Sequence, residues 1–170
     1  DIVQYGRNMF DRRMNAEIFP WCQENGVGVM AYGSLAYGLL SGAFHPGMTF
    51  DEADWRSKRG ELGTLNLFRT MFGPDHFPRN LRAVEDVKAI AAQYGKSLPQ
   101  FALRWTLSHP AISTGLVGFR RPEEVTENLG ALDFTIPPAA MAAVDAAFTR
   151  HDAVTEAALD KIFAEFCIGK

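Results

Sequence analysis

Cysteine is nearly absent from this chain. Of 170 residues only Cys22 and Cys167 carry a thiol, far apart and without CxxC or Cys/His spacing, so neither a disulfide framework nor a zinc site is indicated. Two free thiols in a reducing compartment is the reading that remains. No apolar run reaches the roughly 18 residues of a membrane-spanning helix, and there is no secretory leader pattern and no low-complexity tract. Basic residues never run longer than two in a row, and 17 Lys and Arg stand against 20 Asp and Glu, a formal net charge of −3. That balance argues against a general nucleic-acid surface. The expectation is a cytoplasmic protein that partners neither nucleic acid nor membrane. An initiator methionine is missing too: the chain opens on Asp1-Ile2-Val3-Gln4-Tyr5, inside an apparent strand, whereas the first residues of a domain usually fray. The expectation here is a fragment.

What is present is a globular composition, 47% hydrophobic and 22% charged, enough for one sizeable core. The stretch Gly26–Gly42, GVGVMAYGSLAYGLLSG, organises the rest. Its uncharged run from Gly26 to Tyr32 reads as a fully buried strand. Behind it come Gly33, Ser34, Leu35 and Gly38, small residues that allow a ligand close to the backbone, next to an aromatic ring, Tyr32, able to stack on something flat. This strand end reads as half of a nucleotide-binding floor.

Around it, Ile2–Tyr5 is a plausible first strand. A helical segment follows from Asn15 to Asn25, with Ile18, Trp21 and Cys22 on one face and Pro20 in the first turn. Residues 43–78 show no clean period and carry Phe44, Phe50, Trp55, Phe68, Met71, Phe72 and Phe77. So long an excursion reads as a functional lid, its aromatics either gluing the loop down or touching substrate. Leu81, Val84, Val87, Ile90 and Tyr94 then mark an amphipathic helix. Ser97 and Pro99 start another, through Phe101, Ala102, Trp105 and Leu107. Ala111–Val117 is a third strand. Pro122 with Glu123 and Glu124 opens a helix whose apolar face is Val125, Leu129 and Leu132. Pro137-Pro138 launches one carrying Met141, Val144 and Phe148, and a last helix from Asp152 carries Leu159, Ile162, Phe163 and Phe166. Strands alternating with helices give an α/β class, with residues 1–150 as one unit and 151–170 as a helical extension.

Three segments, FPWCQENGVGVMAYGSLAYGLLSG, GKSLPQFALRWTLSHP and STGLVGFRRPEEVTENLGAL, resemble the carboxyl-terminal half of an aldo-keto reductase, of the bacterial and potassium-channel-β-subunit-like branch. The resemblance implies a partial (β/α)8 TIM barrel: segments 2–5, 27–32 and 112–117 as its sixth, seventh and eighth strands, plus extra carboxyl-terminal helices. Eight strands and about 250 residues make a complete barrel, so an amino-terminal half, or self-association, would complete it.

The same resemblance assigns the site. Gln4 would hydrogen-bond a nicotinamide carboxamide and Tyr32 would stack on the ring. The turn of Gly33, Ser34 and Leu35, with Gly38 behind it, would hold the pyrophosphate, although Gly-Ser stands where relatives carry Ser-Pro. Gly118, Phe119 and Arg120 would form the adenosine end, Arg120 against a 2′-phosphate, which implies NADP(H). Glu124 occupies a position where glutamine or arginine is common, and Glu127 and Asn128 match the pair near the adenine. A solvated-loop reading of Arg120 and Arg121, and a strand-end role for Gln4, stay open beside these. The family's tyrosine, lysine, aspartate and histidine belong to the first half of the barrel. Tyr5, Tyr37, Tyr94, Lys96, His76 and His109 lie in other motif contexts, so no catalytic residue is expected here. Two classes follow: the NADP(H)-binding half of a reductase acting on a small aldehyde or ketone, or a non-catalytic nucleotide-sensing or self-associating module.

Overall fold

A computed structural model describes residues 1–58 and 66–153. Three parallel strands pair in the order β1-β2-β3, with β1 at Ile2–Gly6, β2 at Gly28–Tyr32 and β3 at Ile112–Gly115. The register of β1 on β2 runs from Ile2 opposite Gly28 to Gly6 opposite Tyr32, and an irregularity at Val29/Met30 shifts the pairing with β3. Helix α1 (Ile18–Glu24) connects β1 to β2. Helices α2 (Asn66–Phe72), α3 (Phe77–Gln93) and α4 (Leu98–Leu107) lie between β2 and β3, and α5 (Pro122–Leu129) and α6 (Pro138–Arg150) follow.

The expected starts of α4 and α5 hold. Ser97 accepts from the Gln100 backbone N–H while the Gln100 side chain accepts from Ser97 N–H at 3.1 Å, a capping box with Pro99 in the first turn. Helix α5 begins at Pro122, with Glu123 and Glu124 in its first turn. The strand at 2–5 gains one residue, and the other two come out shorter than expected at one or both ends.

Three expectations are corrected. First, β2 is buried on one face only. Val29 and Ala31 turn into a cluster with Phe19, Cys22 and Ile112, while Met30 is half-buried and Tyr32 exposed. Alternation of side chains across the pleat puts Gln4, Met30 and Tyr32 on the opposite face, which no helix covers among the described residues. Second, of the face expected for α1, Ile18 and Cys22 turn inward, but Trp21 is 55% exposed and Phe19 takes its place; the β1–α1 loop delivers the helix so that Phe19 packs at a tilt against His109, ring centroids 5.1 Å apart. Third, Val125, Leu129 and Leu132 are exposed, the last of them beyond the end of α5, because they line an open crevice toward α4 and β3 that no described side chain fills. Among the described residues of the 43–78 excursion, the aromatic rings pack on one another and on Tyr37, the first of the two roles expected for them. Phe44 meets Phe50 at 5.4 Å, Trp55 meets Phe68 at 4.9 Å, and Tyr37 meets Phe68 at 4.9 Å. The helix expected beyond Asp152 lies outside the described residues.

The larger core sits among the helices. Phe101, Trp105, Val144 and Phe148 meet Met9 and Phe10 from the β1–α1 loop, with Phe10 edge-on to Phe148 at 4.8 Å. Each such buried apolar side chain contributes about 1.5–3 kcal/mol. Arg7 lies 4.4 Å and Arg12 4.8 Å from the Trp105 ring, so this loop is tied to α4 by both apolar and cation–π contacts.

His109 couples this packing to pH. Its Nδ1 accepts the Ala111 backbone N–H at 3.2 Å. Burial, with a smaller push from Arg7, lowers its pKa from 6.5 to about 4. Between those values the unfolded chain binds a proton that the folded chain lacks. The contribution of neutral His109 is complete above about pH 6.5 and is lost as pH falls toward about 4. Urea midpoints measured across this window are expected to fall with acid in the native chain and to fall less in His109→Gln.

Candidate functional site

The carboxyl ends of parallel strands are where α/β sheets build ligand crevices. Here the end of β2 runs into a glycine turn and then the tight turns of Ala36–Ser41, which are kinked at Tyr37 and Gly38. Gly33 takes a left-handed φ of 65°, and so do two residues that carry side chains, Ala36 at 49° and Tyr37 at 55°. Consecutive side-chain-bearing residues in that region store strain and persist where the surroundings over-determine them. Those surroundings are identifiable. Ala36 N–H donates to Gly33 O at 2.8 Å and Gly38 N–H to Leu35 O at 3.0 Å. The buried Asn8 side chain donates to Gly33 O at 2.9 Å while accepting the backbone N–H groups of Phe10 and Asp11 at 2.8 and 2.9 Å. The β1–α1 loop thus clamps the turn after β2.

A cleft of about 310 Å³ opens beside this turn, lined by Gly33, Ser34, Leu35, Gly38, Gly118 and Arg56, with Tyr37 and Ser41 among its other walls. Five residues singled out from the sequence therefore meet in one place. Arg56 is the one charged side chain among the lining residues, and the sequence did not point to it. It belongs to the aperiodic excursion, and its position depends on contacts with no local sequence signature: its Nη1 donates to Tyr37 O at 3.2 Å. Asp54 receives two further bonds from it, at 2.8 and 2.5 Å, and these hold the Asp54 carboxyl below its usual range. The guanidinium also lies over Phe44 and Phe50 at 5.3 and 5.2 Å. A Cβ at Gly38, φ 105°, would come 2.7 Å from Phe44 and 3.1 Å from Arg56 Nη1, so glycine there admits both.

The remaining sequence candidates are distributed around this cleft. Ser34 is buried, and its hydroxyl faces Leu116 O at 3.2 Å and Ala31 O at 3.4 Å; it ties the ends of β2 and β3 together, which leaves the backbone to face the cleft. Gln4 and Tyr32 lie on the open face of the sheet, with Gln4 opposite Met30. Phe119, 61% exposed, and Arg120 line a shallow hollow at the start of α5. Arg120 gives its backbone N–H to Glu124 at 2.7 Å, and Glu124 pairs with the Arg121 guanidinium at 3.3 Å, contacts that lower the Glu124 pKa. Asn128 faces a separate apolar crevice between β3 and α5. The Glu127 side chain is exposed, and its carbonyl accepts Gln100 Nε2 at 3.0 Å. No helix among the described residues is long and apolar enough to cross a membrane, and no group of three His, Cys, Asp or Glu among them could hold a metal ion.

A parallel α/β unit with a glycine-floored, cation-bearing cleft at its strand ends is the class of protein these residues define. Comparison with known proteins gives the class a family: the model of the Aldo/keto reductase family matches residues 1–148, and the chain belongs to that family. It is 28% identical over 143 residues to the NADH-specific methylglyoxal reductase of Escherichia coli (strain K12), covering 82% of this chain and 39% of that protein. It is 30% identical over 127 residues to a probable voltage-gated potassium channel subunit beta of Oryza sativa subsp. japonica, covering 74% and 36%. Among solved structures, a glycerol dehydrogenase from Gluconobacter oxydans superposes with a TM-score of 0.78 at 29% identity, over 88% of this chain and 42% of that one. The chain spans about two fifths of the length of the relatives it matches.

Asn8 serves both sides of the clamp. Asn8→Ala leaves the Phe10 backbone N–H without its partner and removes one of the two donors to the Gly33 carbonyl, and a destabilisation of about 1–2 kcal/mol is expected, measured as a lower urea midpoint with unchanged slope. Asn8→Asp retains the acceptor, loses the donor and adds a charge beside Asp11, so a larger loss is expected.

Proposed function

We propose that this chain is the coenzyme-binding part of an aldo-keto reductase that transfers hydride between NADP(H) and a small aldehyde or ketone. In this reading the three strands are an arc of a (β/α)8 barrel, the last three of its eight. The observation that carries it is the cleft in which Gly33, Ser34, Leu35, Gly38 and Gly118 converge with the Arg56 guanidinium. The fit to a dinucleotide rests on this chemistry. Left-handed Gly33 and Gly38 keep side chains away from the floor, and a fixed cation stands beside it to balance a diphosphate. The bound nicotinamide supplies the hydride.

Each residue then has a defined task. Tyr32, exposed at the end of β2, offers a flat ring that excludes water from one face of the nicotinamide. Gln4, on the same open face two strand positions before Gly6, orients the carboxamide and so fixes which face meets substrate. Arg56 and the turn backbone hold the pyrophosphate. Arg120 meets the 2′-phosphate, with Glu127 and Asn128 toward the adenine. Proton transfer to the carbonyl oxygen needs a general acid within hydrogen-bond reach, and in this reading it comes from strands outside this chain, carried by a longer form of the polypeptide or by a companion. The similarity to a potassium channel β subunit favours one second reading, a nucleotide-sensing module that binds the same coenzyme without turnover.

A guanidinium–phosphate contact contributes about 1.5–3 kcal/mol. Arg120→Ala is therefore expected to weaken NADPH about tenfold to a hundredfold more than NADH in a fluorescence titration, and equal losses would remove the 2′-phosphate role. Arg56→Ala, by contrast, is expected to weaken both coenzymes alike, since both carry the diphosphate. Turnover of NADPH with an aldehyde by the 170-residue chain alone would refute the assignment of proton transfer to residues elsewhere.

A further inference from the structure

The turn between β1 and α1 holds an ion pair to which the coenzyme reading gives no task. Asp11 is buried, with 3% of its side chain exposed, and takes both arms of the Arg13 guanidinium, Nε to Oδ1 at 2.8 Å and Nη2 to Oδ2 at 2.9 Å. A buried pair of this kind adds little stability over apolar packing, because desolvation offsets the attraction. Its geometry is more telling than its energy. A Cβ at Gly6 would lie 2.8 Å from Asp11 Oδ2, 3.4 Å from Tyr32 Cζ and 3.5 Å from the Tyr32 hydroxyl. The carboxylate and the Tyr32 ring therefore converge on the one residue of β1 that has no side chain. Gly6 is opposite Tyr32 in the sheet register, and Arg7 N–H donates to Tyr32 O at 3.2 Å. On the next turn the pattern recurs, since a Cβ at Gly33 would lie 3.5 Å from both Cζ and the hydroxyl of Tyr37. Two glycines thus each seat a tyrosine ring, and the charges of Asp11 and Arg13 act on both Tyr37 and its surroundings.

Resting on the reading that Tyr32 carries the nicotinamide, we propose that Asp11 and Arg13 are positioning residues for the Tyr32 ring, with Gly6 as its seat. The carboxylate stands on Gly6 beside the ring, and the pair fixes the plane that Tyr32 offers to a flat ligand. Gly6 is required because any side chain there displaces either the carboxylate or the ring. Arg13 holds the carboxylate in place by a two-bond fork, which a lysine cannot reproduce.

The experiment is 19F NMR of the full chain labelled with 3-fluorotyrosine, with Tyr32→Phe used to assign the Tyr32 signal. Asp11→Asn and Gly6→Ala are expected to shift or broaden the Tyr32 resonance and to leave that of Tyr94 unmoved. An unmoved Tyr32 signal in both variants overturns the proposal, whether or not a ligand binds. Calorimetric titration with NADH and with ADP-ribose, which lacks the nicotinamide, supplies the second readout. Asp11→Asn is expected to weaken NADH about fivefold to tenfold, the scale of one aromatic stacking contact, and to leave ADP-ribose within about twofold. Equal losses for both ligands mean a merely structural role and overturn it. If Tyr32→Ala leaves the ratio of the two affinities unchanged, the nicotinamide reading fails, and the 19F signal still decides whether Asp11 seats the ring.

Discussion

Backbone pairing of β2 with a parallel neighbour on each side is the constraint on which the rest of this structure depends. It aligns Gly6, Tyr32 and Gly115 at one end of the sheet and so brings together three chain segments that are distant in sequence. Parallel pairing requires long crossovers, and here the crossovers carry the helices and the aromatic excursion. Once the ladder is fixed, the loop after β1 must pass the end of β2, and Asn8 spans that gap. The Ser34 hydroxyl does the equivalent work between β2 and β3. Both are buried polar groups whose partners are main-chain atoms of another segment, so neither can be moved without unsatisfying a backbone group.

Local signals in the sequence made much of this legible. Ser97, Pro99 and Gln100 form a start signal that needs only residues within one turn. The Gly33–Leu35 turn and Pro122 are similar, since glycine and proline act through their own backbone torsions. What could not be read were properties set by distant partners. Trp21 and Phe19 are both large, apolar and helical, and periodicity alone chose the wrong one. The choice depends on His109, ninety residues on, against which Phe19 packs at a tilt. In the same way, the apolar period of Val125, Leu129 and Leu132 is genuine, yet the period does not state whether a covering element is present. Arg56 was hidden for a further reason. It is held by Asp54, by the Tyr37 carbonyl and by aromatic faces, none of which has a repeat spacing.

The excursion and the glycine turn depend on each other. Tyr37, in a left-handed conformation, packs edge-on against Trp55 at 5.9 Å and Phe68 at 4.9 Å, while its carbonyl accepts from Arg56. The strained turn thus gains from the aromatic cluster the contacts that offset its torsional cost, of order 1–3 kcal/mol per residue. The cluster in turn is anchored to the sheet through Tyr37. Opening the excursion would therefore release Tyr37, and the cleft floor with it.

Electrostatics sharpen the division of labour between the two ends of the site. At the turn, the Arg56 charge is fixed by a neighbouring carboxylate and lies against rings, where water is partly excluded and charge–charge attraction is less screened. At the start of α5, Arg121 is exposed and tied to Glu124, and exposed pairs are worth little and weaken with salt. A phosphate arriving at α5 must compete with the Glu124 carboxylate, already bonded to Arg120 N–H, whereas one arriving at the glycine turn meets a cation whose carboxylate partner leaves Nη1 on a neutral carbonyl. In the proposed reading, discrimination between coenzymes would rest on the exposed 120–124 segment and common affinity on the glycine turn, so substitutions at 120–124 would change coenzyme preference while the cleft floor stays as it is.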